Sequence, residues 1–328
     1  MDKLIKAKAP VGTKPELITK IKTSFNQPSP LNINKPLNGE SFNILSIDLG
    51  LKNFAYTRIQ LDKNLPFNKP IIIKEWNKLD INAITNISDY KQFDPKIYSK
   101  VCYDLVENVL FNKEYDRPDI ILIERQRART LGSIEISEWV LKINMFESML
   151  YGVLYSKLMN ETPLLINNLI STNPQKMGGY FKPDIDRKLL KDSKTLRIIL
   201  VEKWLKDMLN EKIVVQPKFL FDPIQFPQLI NNKKIINRGK WINELILGSN
   251  RIQYNSKDNK KKFDNMKGDD LCDSLLHSLA WIDWEKNKMI LKMELKLDLE
   301  EGLRINDQLY TIHFAELEFL KKYISVKS

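Results

Sequence analysis

The sequence predicts an α/β fold, a mixed sheet flanked by helices. Short, nearly continuous apolar runs at 43–49 and 119–124 have the pattern of strands buried on both faces. Apolar residues at helical spacing mark 94–111, 134–159, 187–209 and 269–287 as amphipathic helices. The order is three strand-like segments, then helix, strand, helix, strand, helix, which is the order of a layered α/β architecture.

Residues 1–40 differ in character from the rest of the chain. Thr13 is placed to cap a short helix, with Pro15 near its first position and Glu16 in its first turn. The proline- and asparagine-rich stretch 27–38 reads as a linker. The main domain is expected over 41–328. Gly50 ends the strand 43–49, the alternating 54–61 is its hairpin partner, and 70–76 makes a third strand. Ile97, Val101, Leu105 and Val109 carry the helical period of 94–111. Pro118 introduces 119–124. A long helix at 134–159, a fifth strand at 164–170 and a basic helix at 187–209 come next. Residues 212–262 show no strong period and hold two basic runs, 233–240 and 257–262; they are expected to be an insertion. Beyond the helix at 269–287, residues 289–328 are expected to form a strand or two and a closing helix from Ala315.

The 328 residues are 43% hydrophobic, enough for a sizeable core. No run approaches the roughly 18 apolar residues of a membrane span. The net charge of +11 suits a polyanionic partner, and equally a lysine-rich composition bias. With two cysteines, two histidines and no C-x-x-C, zinc chemistry is close to excluded. Cys102 and Cys272 read as buried apolar filler in a reducing compartment.

The chemistry lies in the carboxylates. Asp48 and Glu124 each end an otherwise apolar strand, and burying an ionised carboxylate there is costly unless it is paired or metal-bound. One such residue is commonly an ion pair; two on separate central strands, both at carboxyl ends, point to a shared site. Asp269, Asp270 and Asp273 add three acids at the start of a helix, which repel unless a cation or several donors lie nearby. At about 100° per residue, Asp269 and Asp273 share the edge of the apolar face, and Asp270 is expected nearer solvent as a cap or dipole partner. An acid-rich helix start with no ligand is the plain alternative. All-oxygen donors select Mg²⁺ or Mn²⁺, and two such ions roughly 3.5–4 Å apart clamp the attacking and leaving oxygens of a phosphodiester.

Five segments carry a resemblance: NILSIDLGLKNFAY (43–56), IERQRART (123–130), KINMFE (142–147), STNPQKMGGYF (171–181) and KGDDLCDSLLHSLAWIDW (267–284). Together they resemble the fungal mitochondrial Holliday-junction resolvases, the cruciform-cutting endonuclease family, distant relatives of the bacterial RuvC resolvases. The resemblance spans about 43–288. It implies an RNase H-like fold and a mitochondrial homodimer that nicks opposed strands of a four-way DNA junction, with no small-molecule cofactor. It makes Asp48, Glu124, Asp269 and Asp273 the metal ligands, with Asp270 a further catalytic candidate, and two Mg²⁺ or Mn²⁺ ions per site. The Gly-Thr-Lys-x-Glu-Leu segment in 1–40 resembles the second half of a SAP motif, a small DNA-binding helix pair whose first helix is shortened here.

Arg125, Gln126, Arg127 and Arg129 come directly after Glu124, where arginine offers bidentate phosphate contact or pairs with the acids. Lys52, Asn53 and Lys176 are further DNA-binding candidates. Arg187, Lys188, Lys191, Lys194 and Arg197 stripe one helix, and at least half are expected to be solvated surface charge. The apolar positions of 134–159, among them Ile136, Trp139, Val140, Ile143, Met145, Phe146, Met149 and Leu150, exceed one face and suit a dimer interface or the core. His277 is expected beside the site rather than as a ligand. An RNase H-type nuclease acting on RNA–DNA hybrids and a non-catalytic binder of branched DNA remain the rival functions. An actin-like ATPase lacks its glycine-rich phosphate loops, since the chain has only 11 glycines.

Overall fold

The computed structural model describes residues 23, 29–33, 41–63, 70–81, 94–126, 137–183, 193–209, 217–226, 268–297 and 299–323. Nearly all of the expected 1–40 unit and most of 212–262 lie outside these residues. In chain order the elements are α1 (Pro30–Ile33), β1 (Ser41–Asp48), β2 (Phe54–Asp62), β3 (Ile71–Leu79) and α2 (Pro95–Leu105), which runs on into a π-helical turn (Val106–Leu110). Next come β4 (Ile120–Glu124), α3 (Glu138–Glu161), β5 (Leu169–Thr172), α4 (Pro174–Tyr180), α5 (Ser193–Leu209) and β6 (Phe219–Phe221). Two long helices close the chain, α6 (Asp269–Leu297) and α7 (Leu299–Leu317).

The six strands form one sheet in the order β5-β4-β1-β2-β3-β6. β2 is antiparallel to both of its neighbours, whereas the β1–β4, β4–β5 and β3–β6 pairs are parallel. β1 lies in the middle and is buried on both faces. Phe42 and Ile44 join one core with Ile59, Ile120 and the inner residues of α5 and α6. Leu45 and Ile47 join the other with Phe54, Ile121 and the inner residues of α2 and α3. The alternation of side chains along a strand thus feeds two helical layers.

Local chemistry sets the helix starts. Asp94 caps α2 by accepting from the backbone N–H groups of Lys96 and Ile97, with Pro95 at the first position. Ser137 caps α3 and Asn173 caps α4 in the same way. α6 is pinned to the sheet at three depths. The Trp76 indole N–H donates to Leu271 O at 2.8 Å, Thr57 Oγ1 and Ser274 Oγ lie 2.8 Å apart, and His277 Nε2 lies 2.9 Å from Glu124 Oε2. These bonds place the acidic first turn of α6 over the carboxyl ends of the central strands.

Two expectations need correcting. Residues 164–170 are not a strand throughout. Pro163–Asn168 forms a 3-10 turn begun by the proline, and β5 starts only at Leu169, where pairing with Ile121 begins. Residues 289–328 hold no strand among those described: α6 continues to Leu297 and α7 begins almost at once. The alternation in Met-Glu-Leu-Lys-Leu (293–297) is too short to tell a strand from a helix end. Inside the expected insertion, Phe219–Phe221 joins the sheet edge as β6. In α3, Ile143, Phe146 and Leu150 pack into the core whereas Trp139 is exposed; Ile136 lies outside the described residues. No helix among the described residues is long and apolar enough to cross a membrane.

Candidate active site

Sheet register assembles the site. Ile47 pairs with Ile123, so the next residues along, Asp48 and Glu124, stand side by side at the carboxyl ends of two parallel strands. On the other side Asp48 pairs with Ala55 and Ala55 with Lys78, so Glu124, Asp48, Ala55 and Lys78 form one row across four strands. Ala55 is short, and the charge of the buried Lys78 acts on Asp270. Gly50 lies two residues beyond the end of β1; a Cβ there would lie 2.8 Å from the Asn53 carbonyl oxygen, so the turn bearing Lys52 and Asn53 closes this tightly only on glycine.

α6 lays its acids over that row. Asp273 is bound by both arms of Arg197, Nε to Oδ1 at 2.7 Å and Nη2 to Oδ2 at 2.8 Å. Asp269, the expected inward member, instead accepts from Lys194 Nζ at 2.6 Å on the α5 side. Asp270, expected nearer solvent, has a buried Oδ2 with no hydrogen-bond partner. It is one of the charges acting on Asp48, alongside Glu124 and Asp273. Positions i and i+3 share a helix face as i and i+4 do, and Lys194 decides between the two aspartates by drawing Asp269 away.

The electrostatics are those of crowded acids. Burial first, and then the charges of Glu124, Asp273 and Asp270, push the Asp48 carboxyl well above the usual carboxylate range. Burial works upward on Glu124 as well, but the His277 hydrogen bond and a hydrogen bond from Asp48 hold it below its ordinary value. The two carboxyls are thus pushed in opposite directions, Asp48 up and Glu124 down. Burial raises Asp273 against the pull of Arg197, and burial with Asp269 nearby pushes Asp270 up to about 7. On Asp269 the Lys194 bond outweighs burial and keeps the group low.

Such a donor set fits a hard divalent cation: every donor is a carboxylate oxygen, and Asp270 Oδ2 has no other partner. Among the described residues no three His, Cys, Asp or Glu side chains already stand in a metal-holding arrangement, because the carboxylates are turned toward Arg197, His277 and one another.

The basic candidates border the same strand ends. Arg125 is exposed, with its backbone N–H on Thr172 O, and Gln126 donates its backbone N–H to both oxygens of the buried Glu147. Lys52 and Lys176 are exposed and Asn53 is half-buried. Arg127 and Arg129 lie outside the described residues, as do Arg187, Lys188 and Lys191. Sequence reasoning missed Lys78 and Glu147, and placed Arg197 only in the basic stripe of its helix. Glu147 and Arg197 had a signal, a single charge inside an apolar run; in Thr195-Leu-Arg-Ile-Ile-Leu-Val201 the arginine is the only polar side chain over six residues, whereas Lys78 sits among Lys74, Glu75, Asn77 and Asp80 and had none.

The chain is an α/β protein with a mixed sheet, β2 reversed, helices on both faces and acids at the carboxyl ends of its central strands β1 and β4. The family profile described as "Mitochondrial resolvase Ydc2 / RNA splicing MRS1" matches residues 44–291. The chain is 31% identical over 272 residues to cruciform cutting endonuclease 1, mitochondrial, of Saccharomyces cerevisiae, covering 75% of this chain and 69% of that protein. It is 27% identical over 249 residues to the protein of the same name from Schizosaccharomyces pombe, covering 74% and 78%. A crystal structure of the yeast mitochondrial Holliday junction resolvase, Ydc2, covers 88% of this chain and 94% of its own at 20% identity, with a TM-score of 0.49. This chain belongs to the mitochondrial resolvase Ydc2 / RNA splicing MRS1 family.

Proposed function

We propose that this chain is a structure-selective endonuclease that resolves four-way DNA junctions in mitochondria by paired, divalent-metal-dependent hydrolysis of opposed strands. One observation carries the reading: carboxylates from three distant stretches of chain, Asp48, Glu124 and the α6 pair Asp270 and Asp273, converge on one spot and share charge there. The family's description joins resolvase and RNA-splicing members. A chain that only bound RNA would have no use for four crowded acids whose burial is unfavourable, and this favours the nuclease.

Asp48, Glu124, Asp270 and Asp273 are the residues that would hold two Mg²⁺ or Mn²⁺ ions; Asp269, paired with Lys194, stands behind them. When bound, such ions supply an activated water and neutralise charge on the departing 3′ oxygen. The chain's own residues do the rest. β1 and β4 fix Asp48 and Glu124 on rigid strand ends, and His277 orients Glu124. Arg125, Gln126, Lys52, Asn53 and Lys176, with Arg127 and Arg129 just beyond, receive backbone phosphates around the cut. Such contacts read the shape of an opened junction rather than its bases. Residues 1–40 serve as an accessory DNA-binding segment to this 41–328 domain. A homodimer places two sites at a fixed separation and matches the junction's own twofold symmetry.

The test is a synthetic immobile four-way junction with Mg²⁺, cut sites mapped on all four strands, beside an RNA–DNA hybrid duplex. The expected result is symmetric nicks on opposed junction strands and an intact hybrid. Asp48→Asn and Glu124→Gln should keep junction affinity within about twofold and nick below about 1% of the wild-type rate, a larger loss than removal of an outer-shell partner brings. Nicking that survives both substitutions would refute the assignment; junction binding without any cutting by the wild type would favour an architectural or RNA role.

A further inference from the structure

We propose that Arg197 is a stand-in cation for the carboxylate site: it grips both oxygens of Asp273, and it must release that grip when a divalent ion enters. The inference rests on the nuclease reading above. α5 carries Arg197 inward from the apolar run 196–201, and the Arg197 and Asp273 side chains are 11% and 12% exposed. A buried guanidinium needs a full partner, and the two parallel bonds of 2.7 and 2.8 Å to Asp273 provide one.

The geometry separates two roles that are easily confused. A partner that only orients a metal ligand leaves a coordinating edge free, and its loss weakens metal affinity by about 10–100-fold. Arg197 occupies the edge of Asp273 that a chelating cation would use. Removing a competitor strengthens metal binding; removing an orienter weakens it. The sign decides.

The experiment is calorimetric titration of the full-length chain with Mn²⁺ in the absence of DNA, for wild type, Arg197→Gln, Arg197→Lys and Arg117→Gln. The last removes one positive charge at the opposite end of β4, where Arg117 pairs with Glu161. Arg197→Gln is expected to bind Mn²⁺ about tenfold more tightly, Arg197→Lys to fall between it and the wild type, and Arg117→Gln to match the wild type within about twofold. Half-saturation of junction nicking should move to lower Mg²⁺ in the same order. Unchanged or weaker Mn²⁺ binding by folded Arg197→Gln overturns the proposal. If that variant does not fold, Arg197→Lys decides by the same criterion. A wild type that neither binds Mn²⁺ nor nicks a junction overturns the nuclease reading instead.

Discussion

Glu202 shows at the scale of one residue how a buried charge controls stability away from the site. It lies on α5 inside the core, 5% exposed, and burial pushes its carboxyl up to about 7 against the weaker pull of Lys206. A carboxyl raised in the folded state favours its protonated form. Its destabilising effect is absent below the unfolded value near 4.5, grows above it, and is complete once pH passes about 7. Glu202→Gln should therefore stabilise the protein by roughly 1–3 kcal/mol at pH 8 and change nothing at pH 4. Denaturant melts at the two pH values check this; equal stabilisation at both would rule out ionisation as the cause. The sequence places Glu202 on an amphipathic helix but does not show its burial, because the face of α5 that meets the core is set by α6. Asp48 and Glu124 were legible for the opposite reason: a carboxylate ending an apolar strand is a local pattern.

At the scale of elements, helix starts were readable and helix neighbours were not. The apolar spacing announces α2, and in the fold Asp94 caps it by accepting from two backbone N–H groups. Asp94→Ala should cost about 1 kcal/mol in a urea titration and leave nicking untouched, since α2 covers the sheet face opposite α6. A loss of nicking would mean that α2 is coupled to the site. The run 164–170 is ambiguous by itself because an apolar stretch introduced by proline suits a helical turn as well as a strand. Contact with β4 decides, and that partner is 49 residues away, as in the bond from Asn168 Nδ2 to Asp119 O. β6 had no signal of its own. Three residues of Phe-Leu-Phe become a strand because β3 offers an edge.

At the scale of the molecule, a basic chain surrounds an acidic centre. The net charge of +11 draws a polyanion to the surface while the acids wait at the sheet's carboxyl edge. The proposed homodimer requires a surface for a second copy, and α3 is the candidate: Leu141 and Tyr155 are both 52% exposed and Met159 46%, along one side of the helix. Light scattering should give twice the 38.5 kDa of one chain, and Leu141→Asp combined with Tyr155→Asp should return it to one. A monomeric wild type, or a double variant that stays dimeric, would exclude this surface.

The sequence by itself determined strands β1 to β4, the helical character of α2, α3, α5 and the start of α6, the two-sided burial of β1 and β4, and the carboxylates at their ends. These come from periodicity and composition along a few consecutive residues. Only the tertiary structure decided that Asp270 rather than Asp269 turns toward Asp48, that Arg197 lies inside and not on the surface, and that Lys78 completes a row across four strands. Each of these depends on how one element is rotated and registered against another distant in sequence, and packing contacts fix that rotation where no local pattern can.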